Sequence, residues 1–286
     1  MERIVFYNGA FLKESGAAIS PFSRGLNYGD GVFETLRSYA GGFFRFEDHI
    51  SRLSQGLKTL RINLALDNTA LRNTIKELLQ VNRLSDAAIK ILAFREGGEG
   101  PDPAPQAGAS VVVTARPFDH DKKSRYEHGI KAHVAAGGRN TLSPLVSIKS
   151  MNYLENILGR LEAHDHHADE ALFLNIHGMV AEGATSNIFM ARQGTLYTPP
   201  ADAGILMGIT RSMILRIVQE TGCSFAEQNF SLKELLEADE AFLTNSLMEI
   251  MPLTSINNKP VSNGLPGDIT KKLLHEYHAL VTRELT

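Results

Sequence analysis

The apolar runs Ile4-Val5-Phe6-Tyr7 and Phe11-Leu12 flank Asn8-Gly9, a dipeptide suited to a tight turn, and the pattern predicts a β-hairpin at the start of the chain. The period then changes. Ile50, Leu53, Leu57 and Leu60 recur at helical spacing through residues 47–60, and Leu71, Ile75, Leu78 and Leu79 repeat the spacing, so two amphipathic helices are expected. Residues 88–94 and 110–115 return to β-rich runs. The glycines and prolines of 97–105 between them exclude both a helix and a central strand, which makes this segment a loop.

The second half alternates again. A strand is predicted at 130–135, a helix after Lys149 with Leu154, Ile157, Leu158 and Leu161 turned inward, and strands near Ala171 and Asn187. A helix runs from about Thr210 to Gly222, and Ser231 with Glu234 has the spacing of a capping box that opens another. Strands and helices mixed in this way point to an α+β organisation rather than a Rossmann sheet. The polar segment 118–124 suits a domain connection, which divides the chain into residues 1–119 and 120–286. There is no internal repeat.

Composition narrows the function classes. With 286 residues, 43% of them hydrophobic and 21% charged, the chain can bury a sizeable core. A net charge of −3 without a Lys/Arg run offers no basic face, so nucleic acid is not an expected partner. The single cysteine, Cys223, reads as a buried small hydrophobe. His164, His166 and His167 cluster with Asp165 at the polar end of a helix, where cationic groups suit the dipole, and no metal is expected there. No charged leader and no run of the roughly 20 apolar residues that span a bilayer are seen, so a cytoplasmic protein without membrane contact is expected.

Three segments carry candidate chemistry. Lys149 sits where an apolar approach, Val146-Ser147-Ile148, meets the start of a helix; a lysine desolvated there has a lowered pKa and suits imine formation. Glu182 precedes Gly183-Ala184-Thr185-Ser186-Asn187 and can pair with a protonated ring nitrogen. Gly208-Ile209-Thr210-Arg211 opens an amphipathic helix whose free amides can hold a phosphate. Taken singly, each segment is more often a solvated lysine, a strand-end carboxylate or a plain capped helix.

Together, and in this order, they resemble the class IV aminotransferase family, the pyridoxal 5′-phosphate (PLP) enzymes of fold type IV. The resemblance also rests on Tyr28-Gly29-Asp30-Gly31-Val32-Phe33-Glu34-Thr35, His49-Ile50-Ser51-Arg52-Leu53, Lys149-Ser150-Met151-Asn152 and Thr244-Asn245-Ser246, and it spans nearly the whole chain. It implies a two-domain fold like that of D-amino acid aminotransferases: an α/β N-terminal domain, an α+β C-terminal domain, the cofactor in the cleft between them, and a homodimer. It further implies that Lys149 forms the Schiff base with PLP and then serves as catalytic base and acid. Glu182 would bind the pyridinium nitrogen, Leu206 would pack on the ring, and Arg52, Ile209, Thr210 and Ser246 would hold the phosphate. Tyr28, Arg95 and Asn245 would meet a small amino-group-bearing substrate.

Within the family, Asn245, the pair Arg139-Asn140 and the three-residue interval from Lys149 to Asn152 resemble 4-amino-4-deoxychorismate lyases, which release pyruvate and 4-aminobenzoate in folate synthesis. That reaction is the first expectation. The alternative is an aminotransferase acting between a D- or branched-chain amino acid and a 2-keto acid. Arg95 resembles the arginine that binds the substrate carboxylate in D-amino acid aminotransferases and does not discriminate.

Overall fold

The computed structural model describes residues 2–98, 100–104, 106–118 and 123–285. They fall into two compact units, Met1–Phe118 with Ile148–Asn152 and Leu285, and Asp119–Ser147 with Tyr153–Glu284 and Thr286. Most of the segment expected to connect two domains, including the division at 119/120, lies outside the described residues.

The first unit is built on an antiparallel sheet. Strands β1 (Ile4–Tyr7) and β2 (Ala10–Lys13) form the expected hairpin, with Asn8 and Gly9 both at positive φ. Then come α1 (Arg24–Tyr28), β3 (Gly31–Tyr39), β4 (Gly42–Phe43), α2 (Phe46–Thr59), α3 (Asn68–Val81), β5 (Ala87–Arg95) and β6 (Ala109–Pro117). The strand order is β2-β1-β6-β5-β3-β4. Alternation along β3 and β5 divides the side chains between two faces. Val32, Leu36, Ile89 and Ile91 turn to one face and join Ile50, Leu53, Leu57, Ile75 and Leu78 of α2 and α3 in a single core. Phe33, Thr35, Arg37, Lys90 and Leu92 turn to the other.

The segment 148–152 belongs to this unit, not to the second domain in which it was expected. Its backbone extends the sheet beside β3: Phe33 N donates to the Lys149 carbonyl and Met151 N to that of Gly31, each at 2.9 Å, and Val32 bridges Ser150. Ile148 enters the core.

The second unit contains α4 (Lys123–His128), β7 (Ile130–Arg139), α5 (Leu154–Asp165), β8 (Glu170–Asn175), β9 (Val180–Gly183), β10 (Asn187–Arg192), β11 (Thr195–Thr198), α6 (Ile209–Thr221), β12 (Phe225–Glu227), α7 (Leu232–Leu236), β13 (Glu240–Asn245), β14 (Glu249–Ile256), β15 (Lys259–Pro260) and α8 (Asp268–Leu285). Its mixed sheet runs β12-β11-β10-β13-β14-β7-β8-β9, with β15 beside β14. Helix α6 ends at Gly222, and Ser231 and Glu234 form the predicted capping box.

Two expectations are corrected here. Cys223 is exposed, because it follows the left-handed cap at Gly222 that turns the chain off α6. Helix α5 is turned the other way from its apolar pattern: Leu154, Ile157, Leu158 and Leu161 are 72%, 47%, 65% and 57% exposed, while Asn156, Gly159 and Ala163 are buried. The cause is close packing on β8. A Cβ at position 159 would lie 2.5 Å from the Phe173 ring, so only the small-residue face of the helix fits down on the sheet. Among the described residues, no helix is long and apolar enough to cross a membrane.

Candidate active site

In the first unit, strand alternation sets Lys149 apart from its buried neighbours Ile148 and Ser150. Its Nζ stands 4.5 Å from the centre of the Phe33 ring. On the opposite face of β3, Glu34 points at α2. It is fully buried and takes Arg52 Nε at 2.7 Å on one oxygen and Arg52 Nη2 at 2.8 Å on the other, with His49 Nδ1 at 2.8 Å. Burial alone raises a carboxyl pKa, but the charge and hydrogen bonds of Arg52 and the contact with His49 outweigh it and hold Glu34 at about 2. Glu34 thereby fixes the guanidinium plane of Arg52.

Arg95 is also committed. Its Nε donates to Asp30 at 2.9 Å and its two terminal nitrogens donate to the carbonyls of Leu60 and Arg61. Asp30 shares its oxygen with Arg24, whose guanidinium grips the carbonyls of Gly100, Pro101 and Asp102. Burial of Asp30 pushes its carboxyl up, and the two arginines bring it below the usual range. Tyr28 ends α1 half-exposed, with the Arg24 guanidinium over its ring.

In the second unit, β9 carries Glu182 with its carboxylate buried. Leu206 N donates to one oxygen at 3.0 Å, and Arg139 Nε lies 3.3 Å from the other. Arg139 is held in turn by Glu155 and by stacking 4.2 Å over Phe173. Asn187 donates to the Leu206 carbonyl at 2.8 Å, so residues 204–208 are strapped to β9 and β10 just before α6 begins. Gly208 caps that helix without a side chain, because a Cβ there would fall 2.0 Å from Asn187 Oδ1. The first amides of α6, those of Ile209 and Thr210, therefore have no side-chain cap. Nearby, Thr244 is the strand partner of Asn187 and Ser186 precedes Asn187 in the chain, and among the described residues neither buried hydroxyl has a hydrogen-bond partner.

Tyr153 opens α5 and donates to the Ala184 carbonyl at 2.8 Å. Burial, reinforced by the charges of Glu182 and Glu170, pushes its phenol up to about 12, so it acts as a donor and not as a base. Asn245 is engaged on both sides of its amide: Oδ1 accepts from Leu247 N and Met248 N in its own turn, and Nδ2 donates to the Thr185 carbonyl between β9 and β10. Ser246 follows in the same turn, half-buried.

Residues 31–256 match the sequence profile of the amino-transferase class IV family. The chain belongs to the class IV aminotransferases. It is 36% identical to a putative branched-chain-amino-acid aminotransferase of Methanocaldococcus jannaschii over 98% of this chain and 96% of that one. A D-alanine aminotransferase of Bacillus licheniformis shares 33% over 94% of both chains. An aminodeoxychorismate lyase of Bacillus subtilis shares 32% over 88% of this chain and 86% of its own. Among solved structures, the Escherichia coli branched-chain amino acid aminotransferase superposes with a TM-score of 0.94 at 30% identity, covering 100% of this chain and 97% of that one.

As a class IV aminotransferase the protein is a PLP-dependent enzyme of fold type IV. Its residues fit the cofactor's chemistry: a lysine for the aldehyde, an uncapped helix start for a phosphate, a buried carboxylate for a ring nitrogen, and unpartnered hydroxyls at the strand ends. Among the described residues, no group of three or more His, Cys, Asp or Glu is placed to hold a metal ion. The sequence reading did not single out Glu34, or Arg139 as the partner of Glu182. Glu34 was legible in part, since a carboxylate between Phe33 and Thr35 falls on the face that carries Val32 and Leu36.

Proposed function

We propose that this enzyme moves an amino group between a branched-chain or D-amino acid and a 2-keto acid. The observation that carries this reading over the lyase is the use the chain makes of the three features that resemble lyases. Asn245 shapes its own hairpin turn, Arg139 is tied to Glu155 and Glu182, and Asn152 donates to the Gly29 carbonyl at 3.0 Å and to Ser150. Each has a structural employment that requires no lyase substrate. The likeness to branched-chain and D-alanine enzymes over nearly the whole chain supports the same reading. The 4-amino-4-deoxychorismate lyase remains the second reading, supported by the Bacillus subtilis relative.

In this proposal Lys149, Arg52, Glu182, Leu206, Ile209, Thr210 and Ser246 hold PLP, and Tyr28 borders the substrate. PLP supplies an electron sink when a proton leaves the substrate's α-carbon. Lys149 Nζ would hold the cofactor's aldehyde and would be the group to take and return that proton. Glu182, with Arg139 beside it, presents a fixed negative charge to a protonated ring nitrogen. The α6 amides and Arg52 would hold the PLP phosphate.

The test is to incubate the PLP-loaded protein with D-alanine, L-leucine or L-glutamate and a keto acid, beside an assay for pyruvate release from aminodeoxychorismate. Amino transfer is expected. Pyruvate and 4-aminobenzoate formed without an added keto acid would make the enzyme a lyase of folate synthesis.

We also propose a homodimer that covers the stripe of Leu154, Ile157, Leu158 and Leu161, four apolar side chains at helical spacing on the exposed face of α5. Leu158→Glu is expected to weaken self-association about 10- to 100-fold in sedimentation experiments over a concentration series. Unchanged association would remove the stripe from the interface.

A further inference from the structure

Glu249 stands out in the second unit. Among the described residues it alone, glycines apart, combines a positive φ, here 54°, with burial. A side chain disfavours this left-handed conformation, which glycine adopts freely, and such a bend persists only where its surroundings hold it. The bend has a defined place. Asn245 pairs with Glu249 across the β13–β14 hairpin, so Glu249 closes the loop Ser246-Leu247-Met248 at the position where hairpins of this length turn left-handed.

Helix α8 holds that bend. His278 Nε2 lies 2.7 Å from Glu249 Oε2, with the carboxylate buried and the imidazole about half-exposed. Nε2 donates to an ionised carboxylate either in the charged ring or in the tautomer that carries its hydrogen there. The same helix is fastened at its start by Glu240, whose oxygens accept from Ile269 N, Thr270 N and the Thr270 hydroxyl. From Thr270 to His278 the helix rises about 12 Å, and β13 covers about 17 Å from Glu240 to Asn245. One helix thus ties the hairpin at both ends of β13, and Leu273, Tyr277 and Leu280 are buried along it.

The loop that the bend supports lies at the α6 end of the sheet. Thr244 pairs with Asn187, which donates to the Leu206 carbonyl and closes on Gly208, the cap before the Ile209 and Thr210 amides. Ser246 follows Thr244 by two residues, so it and those amides issue from the same end of the sheet.

We propose that Glu249 and His278 are positioning residues for cofactor binding: His278 holds the bend at Glu249, and the bend sets Ser246 toward the PLP phosphate. The inference rests on the reading of Ser246 as a phosphate ligand. Glycine would make the bend without conformational cost, so the tie to α8, and not the turn itself, accounts for a buried carboxylate here.

Pyridoxal, which is PLP without the phosphate, separates this role from packing. The experiment is equilibrium binding of PLP and of pyridoxal, followed by visible absorption, to wild type, His278→Ala, His278→Gln and Ser246→Ala. His278→Ala is expected to weaken PLP about 10-fold and to leave pyridoxal within about 2-fold, since a half-exposed side chain is removed without opening the core. His278→Gln, whose amide can donate to Glu249, should recover most of the loss, and Ser246→Ala should show a selective loss of its own. If Ser246→Ala loses PLP selectively while His278→Ala weakens both compounds equally or neither, the inference alone is overturned. No selective loss in Ser246→Ala, or no PLP uptake by wild type, would overturn the reading of Ser246 and the inference with it.

Discussion

Lys149→Ala is expected to abolish the visible absorption of the PLP-loaded protein and to lower amino transfer by about 10^4-fold or more, since both the covalent link and the proton-transfer group are lost together. The fold should survive. The sheet bonds at this position come from the backbone, including the one from Phe33 N to the Lys149 carbonyl, and the neighbours that enter the core are Ile148 and Ser150. Loss of activity with an unchanged thermal transition would therefore report chemistry and not unfolding. Lys90, whose Nζ lies 4.7 Å from the centre of the same Phe33 ring, makes a second outcome informative, because a visible band that persists in Lys149→Ala would mean that another amine carries the cofactor. Borohydride reduction followed by peptide mapping would then show whether the label sits on Lys90.

The sequence shows the candidate chemistry of this protein more clearly than its packing. Lys149, Glu182 and the start of α6 stand out because each combines a reactive or charged group with a local signal: an apolar approach, a turn-forming cluster, a glycine before a helix. Amphipathic helices such as α2 and α3 are legible for a related reason, since one apolar face meets one core. Helix α5 misleads because its apolar stripe is not the face that meets the sheet. The deciding feature is Gly159 against Phe173, a contact between residues 14 positions apart whose meaning depends on the sheet being in place. Lys90 is hidden for the same reason. Within β5 it stands between the apolar Ile89 and Ile91, and only the pairing of β5 with β3 brings it to Phe33.

That dependence on strand pairing also makes Glu34 a sensitive position. A carboxyl brought from its ordinary 4.5 to about 2 in the folded chain corresponds to about 3 kcal/mol of stability. Because the folded value is the lower one, this stabilisation is complete above about pH 4.5 and is lost as the pH falls through the folded value near 2. Glu34→Gln should cost about 3–5 kcal/mol at neutral pH, since it leaves Arg52 beside a neutral amide in a buried setting. It should also flatten the acid limb of the stability profile, measured by denaturant unfolding between pH 7 and pH 3. A second effect separates positioning from packing. If Glu34 aims Arg52 at the PLP phosphate, Glu34→Gln and Arg52→Gln should each weaken PLP binding, and the double variant should be little worse than Arg52→Gln alone. Strictly additive losses in PLP affinity would mean that Glu34 stabilises the first unit without orienting Arg52. A double variant that binds PLP as weakly as Arg52→Gln would place both residues in one cofactor-holding unit, with the strand supplying the anchor and the helix the contact.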